Sequence, residues 1–567
     1  MMTATTITDT VDPVDAYLRA GRIIAAHETR SDMIERVTAA LCAADCAFYP
    51  AGAAAFGARL RRAMDARQVV FSTPIMTNAG RHPDRALAAC VVPPVDLRGD
   101  LAAVAASVHA HHQAGMGTGF RLDEVTDPVT VLRHLNTVAV EGACAGREDR
   151  PVGNMAVLSL DHPRVQEFID CKLGADTRGE IWKFNISLLV TDAQMRAADA
   201  GPGRERDLLS AAARAVHACA DPGLVFIDRL EATNPTPHLG AYVSTAPCAE
   251  VGLATGEACQ FGYLNLGAFH RPDGDVVPVD LDALAETTAL LVRALDDAIE
   301  ASLPHYPSPV TVAIMTAKRK IGIGICGLAD LLLTAGLPYG SPDAIRLTRD
   351  LVAFVNYHSK LASVTLAEAR GPAPAVADGR SRYADPDFLR RFARPEIRTV
   401  TPAHWDTLAD RIATTGQLRH AHTVALPPTG RSAPVIGAST GIEPLFRLTS
   451  DHTGDLHPAA AHALRQAGRT DLIGHIHLHG KLPRDHGLPA PLADLLATAT
   501  DLEPAAHLAM TAAAQAGVDD AVSKTVNLPA DATVEQVHDI LTTAWRLGCA
   551  GVTVYRDGSR GTQPKPL

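Results

Sequence analysis

From about residue 14 to residue 70 apolar positions recur at helical spacing, through DAYLRAGRIIAAHETRSDMIERVTAALCAADCAFYP and then AAAFGARLRRAMDAR, which predicts a helical region at the front of the chain. Cys42 and Cys46 stand four apart in it, one turn along a helix face expected to meet a core, and no second ligand pair follows at zinc spacing. The pattern then changes. VVFSTPIMTNAGRHPDRALAACVVPPVDL reads as a β-like run entering a turn-rich segment, followed by a short apolar run that carries Cys90. GNMAVLSLDHPRVQEFIDCK reads as a strand and then a helix, with Asp161 as N-cap and Pro163 in the first turn. IWKFNISLLVTDAQM, TAKRKIGIGICGLADLLLTAGLPYG, HTVALPPTGRSAPVIGASTGIEPLF and DDAVSKTVNLPADATVEQVHDILTTAWRLGCAGVTVYRDGSR repeat that order. Strands alternating with helices over this length predict an α/β architecture, closed as a barrel, although periodicity does not give the number of strands.

One stretch interrupts the alternation. NPTPHLGAYVSTAPCAEVGLATGEACQFGYLNLGAFH, from Asn234 to His270, is broken by prolines and glycines and reads as a loop. It carries Cys248, Glu250 and Cys259. A thiol can give up a hydrogen atom, two thiols can close a disulfide, and a carboxylate can take a proton. Inert buried cysteines beside a surface glutamate are the commoner use of such residues, and other segments of the chain decide against that reading.

HHQAGMGTGFRL follows a helical stretch, and its glycines would let backbone approach a ligand closely. The dinucleotide fingerprint needs a strand before and a helix after its glycines, and the order here is reversed. His109, His111 and His112 read as polar helix residues. In HIHLHG, His475, His477 and His479 would share one face of a strand, but no carboxylate partner stands nearby, and no metal site is expected.

Composition narrows the classes. With 567 residues, 47% of them hydrophobic, the chain can bury a large core. A net charge of −11 argues against a nucleic-acid polymer as partner. Ten cysteines without a secreted scaffold's density fit a reducing, cytoplasmic setting, where any disulfide would be catalytic. No apolar run reaches the ~18 residues of a membrane span, and MMTATTITDTVDPVD lacks the features of a signal peptide.

The ordered set TPIMTNAG, AACVVPP, GMGTGF, NMAVLSLDHP, FNISLLVTD, NPTPHLG, PCAE, EACQFGYLNL, RKIGIGICGLADLL, PTGRSAPVIGASTGIEP and AVSKTVNLPADATVEQV, spread from about residue 70 to Arg560, resembles the catalytic subunit of ribonucleotide reductases, most of all the adenosylcobalamin-dependent class. The resemblance implies a ten-stranded α/β barrel over residues 71–567 with a central finger loop at about 234–270, preceded by the helical region 1–70. It implies that Cys248 becomes the thiyl radical that removes the 3′ hydrogen of a ribose, that Glu250 takes the 3′-hydroxyl proton, and that Cys90 and Cys259 reduce the 2′ position and end as a disulfide. Substrate binding would fall on Thr73, Ala89 and Ala246 and on the turn Thr429, Gly430, Arg431 and Ser432, where backbone N–H groups and hydroxyls opening a helix form an anion site. Adenosylcobalamin is the implied radical source, because the paired tyrosines of a subunit-served enzyme are missing around Tyr555 and no glycyl-radical motif is visible.

Several positions depart from the family pattern. Ala246 stands for an asparagine, Ala249 for a glycine, Ala89 for a serine and Arg431 for a small residue. Arg431 could grip phosphate or block a diphosphate. The chain is short between Phe120 and Val131, the loop GREDRPVGN is altered, and no nucleotide-binding cone domain precedes the helices, so allosteric control is not expected. The ending GSRGTQPKPL has no cysteine pair, which implies an external dithiol or thioredoxin-like reductant. The substrate would be a nucleotide and the protein a monomer or homodimer. Three readings remain at this level: reduction of a ribonucleotide or related nucleoside phosphate, other thiyl-radical chemistry at a modified sugar, and a noncatalytic nucleotide-binding homologue.

Overall fold

The computed structural model describes residues 12–145, 152–174, 181–450 and 453–560. The altered loop at 146–151, the first eleven residues and the last seven lie outside the described residues.

Three helices, Pro13–Ala20, Arg30–Asp45 and Ala53–Asp65, open the chain. Thr29 and Asp32 close a capping box at the start of the second, each satisfying a backbone N–H that the helix leaves open. Cys42 is partly buried, but Cys46 is the C-cap of that helix and is exposed, so the pair does not share a core face. Strand β1 (Val69–Phe71) follows, and TPIMTN, expected to be turn-rich, is the helix Thr73–Asn78 with Pro74 in its first turn. Proline is pre-organised there, since it lacks only an N–H that has no intrahelical partner.

The main sheet then builds through β2 (Cys90–Val91), β3 (Gly117–Arg121), β4 (Asn154–Ser159), β5 (Phe184–Val190) and β6 (Gly223–Phe226), which are all parallel. A small hairpin, β7 (Ser244–Thr245) with β8 (Gly252–Leu253), stands apart as its own sheet. Strands β9 (Ala258–Asn265), β10 (Ile321–Cys326), β11 (Thr525–Leu528) and β12 (Gly551–Arg556) complete the ten-stranded sheet, in the order β1-β9-β2-β3-β4-β5-β6-β12-β11 with β10 on β9. Bridges Ile323↔Val424 and Leu426↔Val522 carry pairing from β10 across to the segment that runs into β11, so the sheet comes round on itself as a barrel. The expected ten-stranded α/β barrel is therefore present.

Inward and outward residues alternate along β4. Ala156 and Leu158 join the outer core against helices, whereas Met155 and Val157 pack inward with Leu189, Val225 and Tyr242. The long helices Leu281–Ser302 and Pro342–Arg370 pack on each other outside β9, and Leu291 meets Gly262 from that side. The front helices join the same core, through Leu18, Leu41 and Leu60, and the Arg293 guanidinium grips Asp45 with two 2.7 Å hydrogen bonds.

Three further local expectations fail. The helix after NMAVLSLDHP starts at Val165 with Arg164 as N-cap, so Asp161 caps nothing. HTVALPPTGRSAPVIGASTGIEPLF holds only the 3₁₀ turn Ala433–Ile436 and no α-helix, because its prolines and several glycines deny it a regular hydrogen-bond ladder. HIHLHG belongs to the helix Ile473–His479, closed by Gly480 at φ +77°. His475 and His479 are therefore one turn apart, with ring centroids at 4.3 Å, and do not share a strand face with His477.

Candidate active site

The loop from Asn234 enters the barrel as the β7–β8 hairpin, and the glycines of GMGTGF explain how it fits. Gly117 and Gly119 lie on strand β3, where a Cβ at Gly119 would stand 2.5 Å from the carbonyl oxygen of Thr245 and one at Gly117 would stand 3.0 Å from Pro247. The close approach these glycines permit is therefore that of the hairpin and not that of a ligand. Gly119→Ala should cost about 1–3 kcal/mol through overpacking, read as a lower denaturant midpoint, and should depress turnover as the loop shifts. An unchanged midpoint would contradict that close approach.

At the hairpin tip Cys248 is exposed, while Glu250, two residues on, is buried with Oε2 lacking a hydrogen-bond partner among the described residues. Burial pushes the Glu250 carboxyl up to about 7 against hydrogen bonds from the loop backbone at Glu250 and Cys248, and nearby Asp520 adds to the rise. Ala246 N–H donates to Val251 O at 3.0 Å, and Ala249 N–H to Ala246 O at 2.9 Å, which makes the tip a tight turn. Ala249 takes φ +61° in that turn. A left-handed conformation costs an L-residue about 1–2 kcal/mol, so Ala249→Gly should raise stability by about 1 kcal/mol in denaturant titration, and no gain would mean that the strain is relieved elsewhere. Ala246 is wholly buried and brings only a methyl group to the floor of the site.

Cys259 is not on the loop. It lies on β9, whose eight residues are all buried, and Gly262 within the apolar run hides the strand from the pattern. The pairing of β2 with β9 sets Cys90 opposite Cys259. Directly opposed residues of an antiparallel pair have Cβ atoms about 4.5–5.5 Å apart, close to the ~3.5–4.5 Å of a disulfide. Both are in the thiol form, and Ala89, half-buried, donates its N–H to Cys259 O at 3.0 Å. Burial drives the Cys259 thiol well above its ordinary value, with Lys320 opposing the rise. Tyr263, on the same face of β9 as Cys259, is pushed up by burial, and Glu250 and the three cysteines add to the rise.

The expected phosphate residues gather at one end. Strand β1 runs into Thr73 and touches the 3₁₀ turn that follows Ser432. Thr429, buried and at φ +50°, accepts Ser432 N–H and Ala433 N–H on its carbonyl oxygen at 3.0 Å each, and Gly441 N–H on Oγ1 at 2.8 Å. A β-branched residue in that region is strained, and these bonds hold it there. Gly430 is an open tip, where an added Cβ would meet nothing within 4 Å among the described residues. Arg431 does not project its full guanidinium there: Nη2 donates to Gly21 O at 3.0 Å, and its carbonyl accepts Tyr17 O–H at 3.0 Å. Of the histidines read as polar, His111 and His112 are buried; His112 Nε2 bonds Asn154 Oδ1 at 2.8 Å, and burial lowers its pKa to about 4.

Sequence reading misses the brace under the loop. Asp520 Oδ1 accepts Gly252 N–H at 3.1 Å, Ala521 N–H donates to Glu250 O at 3.2 Å, and Lys320 Nζ donates to Gly252 O at 2.5 Å. No sequence motif singles out Lys320, and its one signal is its place directly before the apolar run of β10.

The architecture is that of an α/β-barrel enzyme built around a thiol-bearing hairpin threaded into its centre. Residues 121–205 and 202–555 match the ribonucleotide reductase barrel domain. A vitamin B12-dependent ribonucleoside-diphosphate reductase of Mycobacterium tuberculosis (strain CDC 1551 / Oshkosh) is 33% identical, over 95% of this chain and 78% of that protein. One of Thermoplasma acidophilum is 27% identical over 89% of this chain and 66% of its own length. The solved class Id ribonucleotide reductase alpha subunit of Actinobacillus ureae superimposes with a TM-score of 0.76 over 96% of this chain and 97% of that one, at 15% identity. The chain belongs to the ribonucleotide reductase family. No described helix is long and apolar enough to cross a membrane.

Proposed function

We propose that the protein reduces the 2′-hydroxyl of a ribonucleotide or related nucleoside phosphate to the 2′-deoxy product, with adenosylcobalamin as radical source. The carrying observation is the layering of the site: an exposed thiol at Cys248, a buried carboxylate oxygen at Glu250 behind it with no hydrogen-bond partner among the described residues, and an opposed thiol pair, Cys90 and Cys259, on the barrel wall. An exposed thiol fits a radical source that docks from outside the hairpin. Asn185, which donates to Pro247 O at 2.8 Å, and Gly153, against Pro247, would border it. When bound, adenosylcobalamin supplies homolysis of its Co–C bond.

The chain's own residues divide the remaining work. Cys248 takes the 3′ hydrogen, Glu250 accepts the 3′-hydroxyl proton, and Cys90 and Cys259 give two electrons as their thiols become a disulfide. Thr73 and the turn from Thr429 to Ser432 hold phosphate through backbone N–H groups and hydroxyls, while Ala89 and Ala246 line the sugar pocket without a polar side-chain atom. That methyl at Ala246 favours one second reading, a redox-neutral thiyl-radical reaction on a modified sugar. Incubation with adenosylcobalamin, a dithiol and a panel of ribonucleoside mono-, di- and triphosphates, with mass-spectrometric detection, separates the two: reduction removes one oxygen from the sugar. No sugar-modified product from any substrate would favour a noncatalytic homologue.

Glu250 gives the reaction its pH dependence. A base must be ionised, and its folded pKa of about 7 lies above the ordinary 4.5, so activity should rise with pH through about 7. The same shift favours the protonated form in the folded chain, so this group's contribution to stability is present below 4.5 and is lost as pH rises through about 7. Glu250→Gln should lower the rate by about 10²–10⁴-fold and remove that limb from the profile. A full-rate variant with an unchanged limb would show that another group takes the proton.

A further inference from the structure

Lys320 is a wholly buried ammonium placed beside one thiol of the pair. It immediately precedes Ile321, which pairs with Gln260 in the parallel β9–β10 ladder, so the same register sets Lys320 next to Cys259. Strand alternation sends Lys320 and Gly322 to one face, and a Cβ at Gly322 would stand 3.2 Å from Cys259 Sγ. The groups around Lys320 come from several segments: Asp520 Oδ2 at 3.1 Å, Glu257 Oε1 at 3.6 Å and the Tyr242 ring at 4.7 Å. Lys318 takes up Glu257 at 3.0 Å, and His422, kept neutral by burial, lies 3.5 Å from Asp520. Burial and the carboxylates Asp520, Glu250 and Glu257 all resist negative charge on Cys259, and Lys320 works against them. The two thiols are also unequal in access, since Cys90 is 8% exposed and Cys259 is 0% exposed.

We infer that Lys320 directs the re-reduction of the Cys90–Cys259 disulfide, by stabilising Cys259 as the leaving thiolate when an external dithiol attacks Cys90. This rests on the reading of the two cysteines as a redox pair. The reductant's thiolate attacks Cys90 Sγ, the Cys90–Cys259 bond breaks, and its electron pair leaves on Cys259 Sγ beside the ammonium. The reductant's second thiol then attacks the mixed disulfide. It yields its proton to Cys259, closes the reductant's own disulfide and releases Cys90, which is protonated from solvent in exchange for the proton first lost by the reductant. Two electrons pass to the pair, and Lys320 keeps its proton as a positioning residue.

The test uses the full chain, oxidised with a mild azo thiol oxidant and then pulsed with dithiothreitol, quenched in acid and alkylated, so that reduced Cys90 and Cys259 are counted by mass spectrometry. Leaving-group thiolate stability sets the rate of exchange, so Lys320→Gln should slow reduction by about tenfold near neutral pH and steepen its pH dependence, with Lys320→Arg restoring most of the rate. A single-thiol reductant should be trapped on Cys90. Asp520→Asn, which removes a carboxylate that opposes the thiolate, should speed reduction and keeps the test decisive if Lys320→Gln does not fold. Reduction of Lys320→Gln at the wild-type rate, trapping on Cys259, or a slower Asp520→Asn would each overturn the inference. A wild-type chain that forms no Cys90–Cys259 disulfide would instead remove the redox-pair reading beneath it.

Discussion

Cys248→Ser should leave no detectable turnover and no substrate-dependent cleavage of the cofactor's Co–C bond. The hairpin tip is already a tight turn with its own backbone bonds, Ala246 N–H to Val251 O and Ala249 N–H to Ala246 O, and serine fits it without strain, so the variant should fold and bind. What changes is the chemistry, because an oxygen-centred radical is far costlier to form than a sulfur-centred one, and each ~1.4 kcal/mol added to a barrier is a tenfold loss of rate. Electron paramagnetic resonance and product analysis check it together. Wild-type turnover in the serine variant would transfer the radical role to another residue.

The second large effect concerns electrons. Pre-reduced enzyme given cofactor and substrate but no reductant should form about one product per site and stop, with two thiols lost per product, as disulfide stoichiometry requires. Cys90→Ser and Cys259→Ser should each abolish the deoxy product even with a dithiol present, because one remaining thiol cannot give two electrons by closing a disulfide. Radical formation at Cys248 should survive in both. Sustained turnover without reductant, with every thiol still titratable, would point to the redox-neutral sugar reaction.

The barrel is legible in the sequence because parallel strands buried on both faces read as short apolar runs between amphipathic helices. The hairpin is legible as a break in that alternation, and Cys248 and Glu250 stand in it together. Other features are not. Cys259 reads as part of the loop because Gly262 breaks the apolar run of β9, yet that glycine is there to admit Leu291 from the outer helix, 2.6 Å from its would-be Cβ. Thr73 reads as part of a turn because the proline beside it reads as a breaker, when that proline stands in the first turn of a helix. No sequence motif singles out Lys320 or Asp520, and only tertiary pairing across the barrel buries them, which no local pattern encodes. The same holds for Arg431, whose turn toward Gly21 depends on a segment 410 positions earlier in the chain.

The tie between Gly252 and Asp520 joins residues 268 positions apart. On the ribosome the thiol-bearing hairpin is therefore made long before its anchor exists. At ~5–20 residues per second the interval is on the order of tens of seconds, and through it the three cysteines belong to a nascent chain whose barrel cannot yet close. A chain stalled or cleaved before Asp520 would carry every thiol of the site and still be unable to hold Cys248 and Glu250 in register, so its unassembled cysteines become targets for oxidation rather than catalysts.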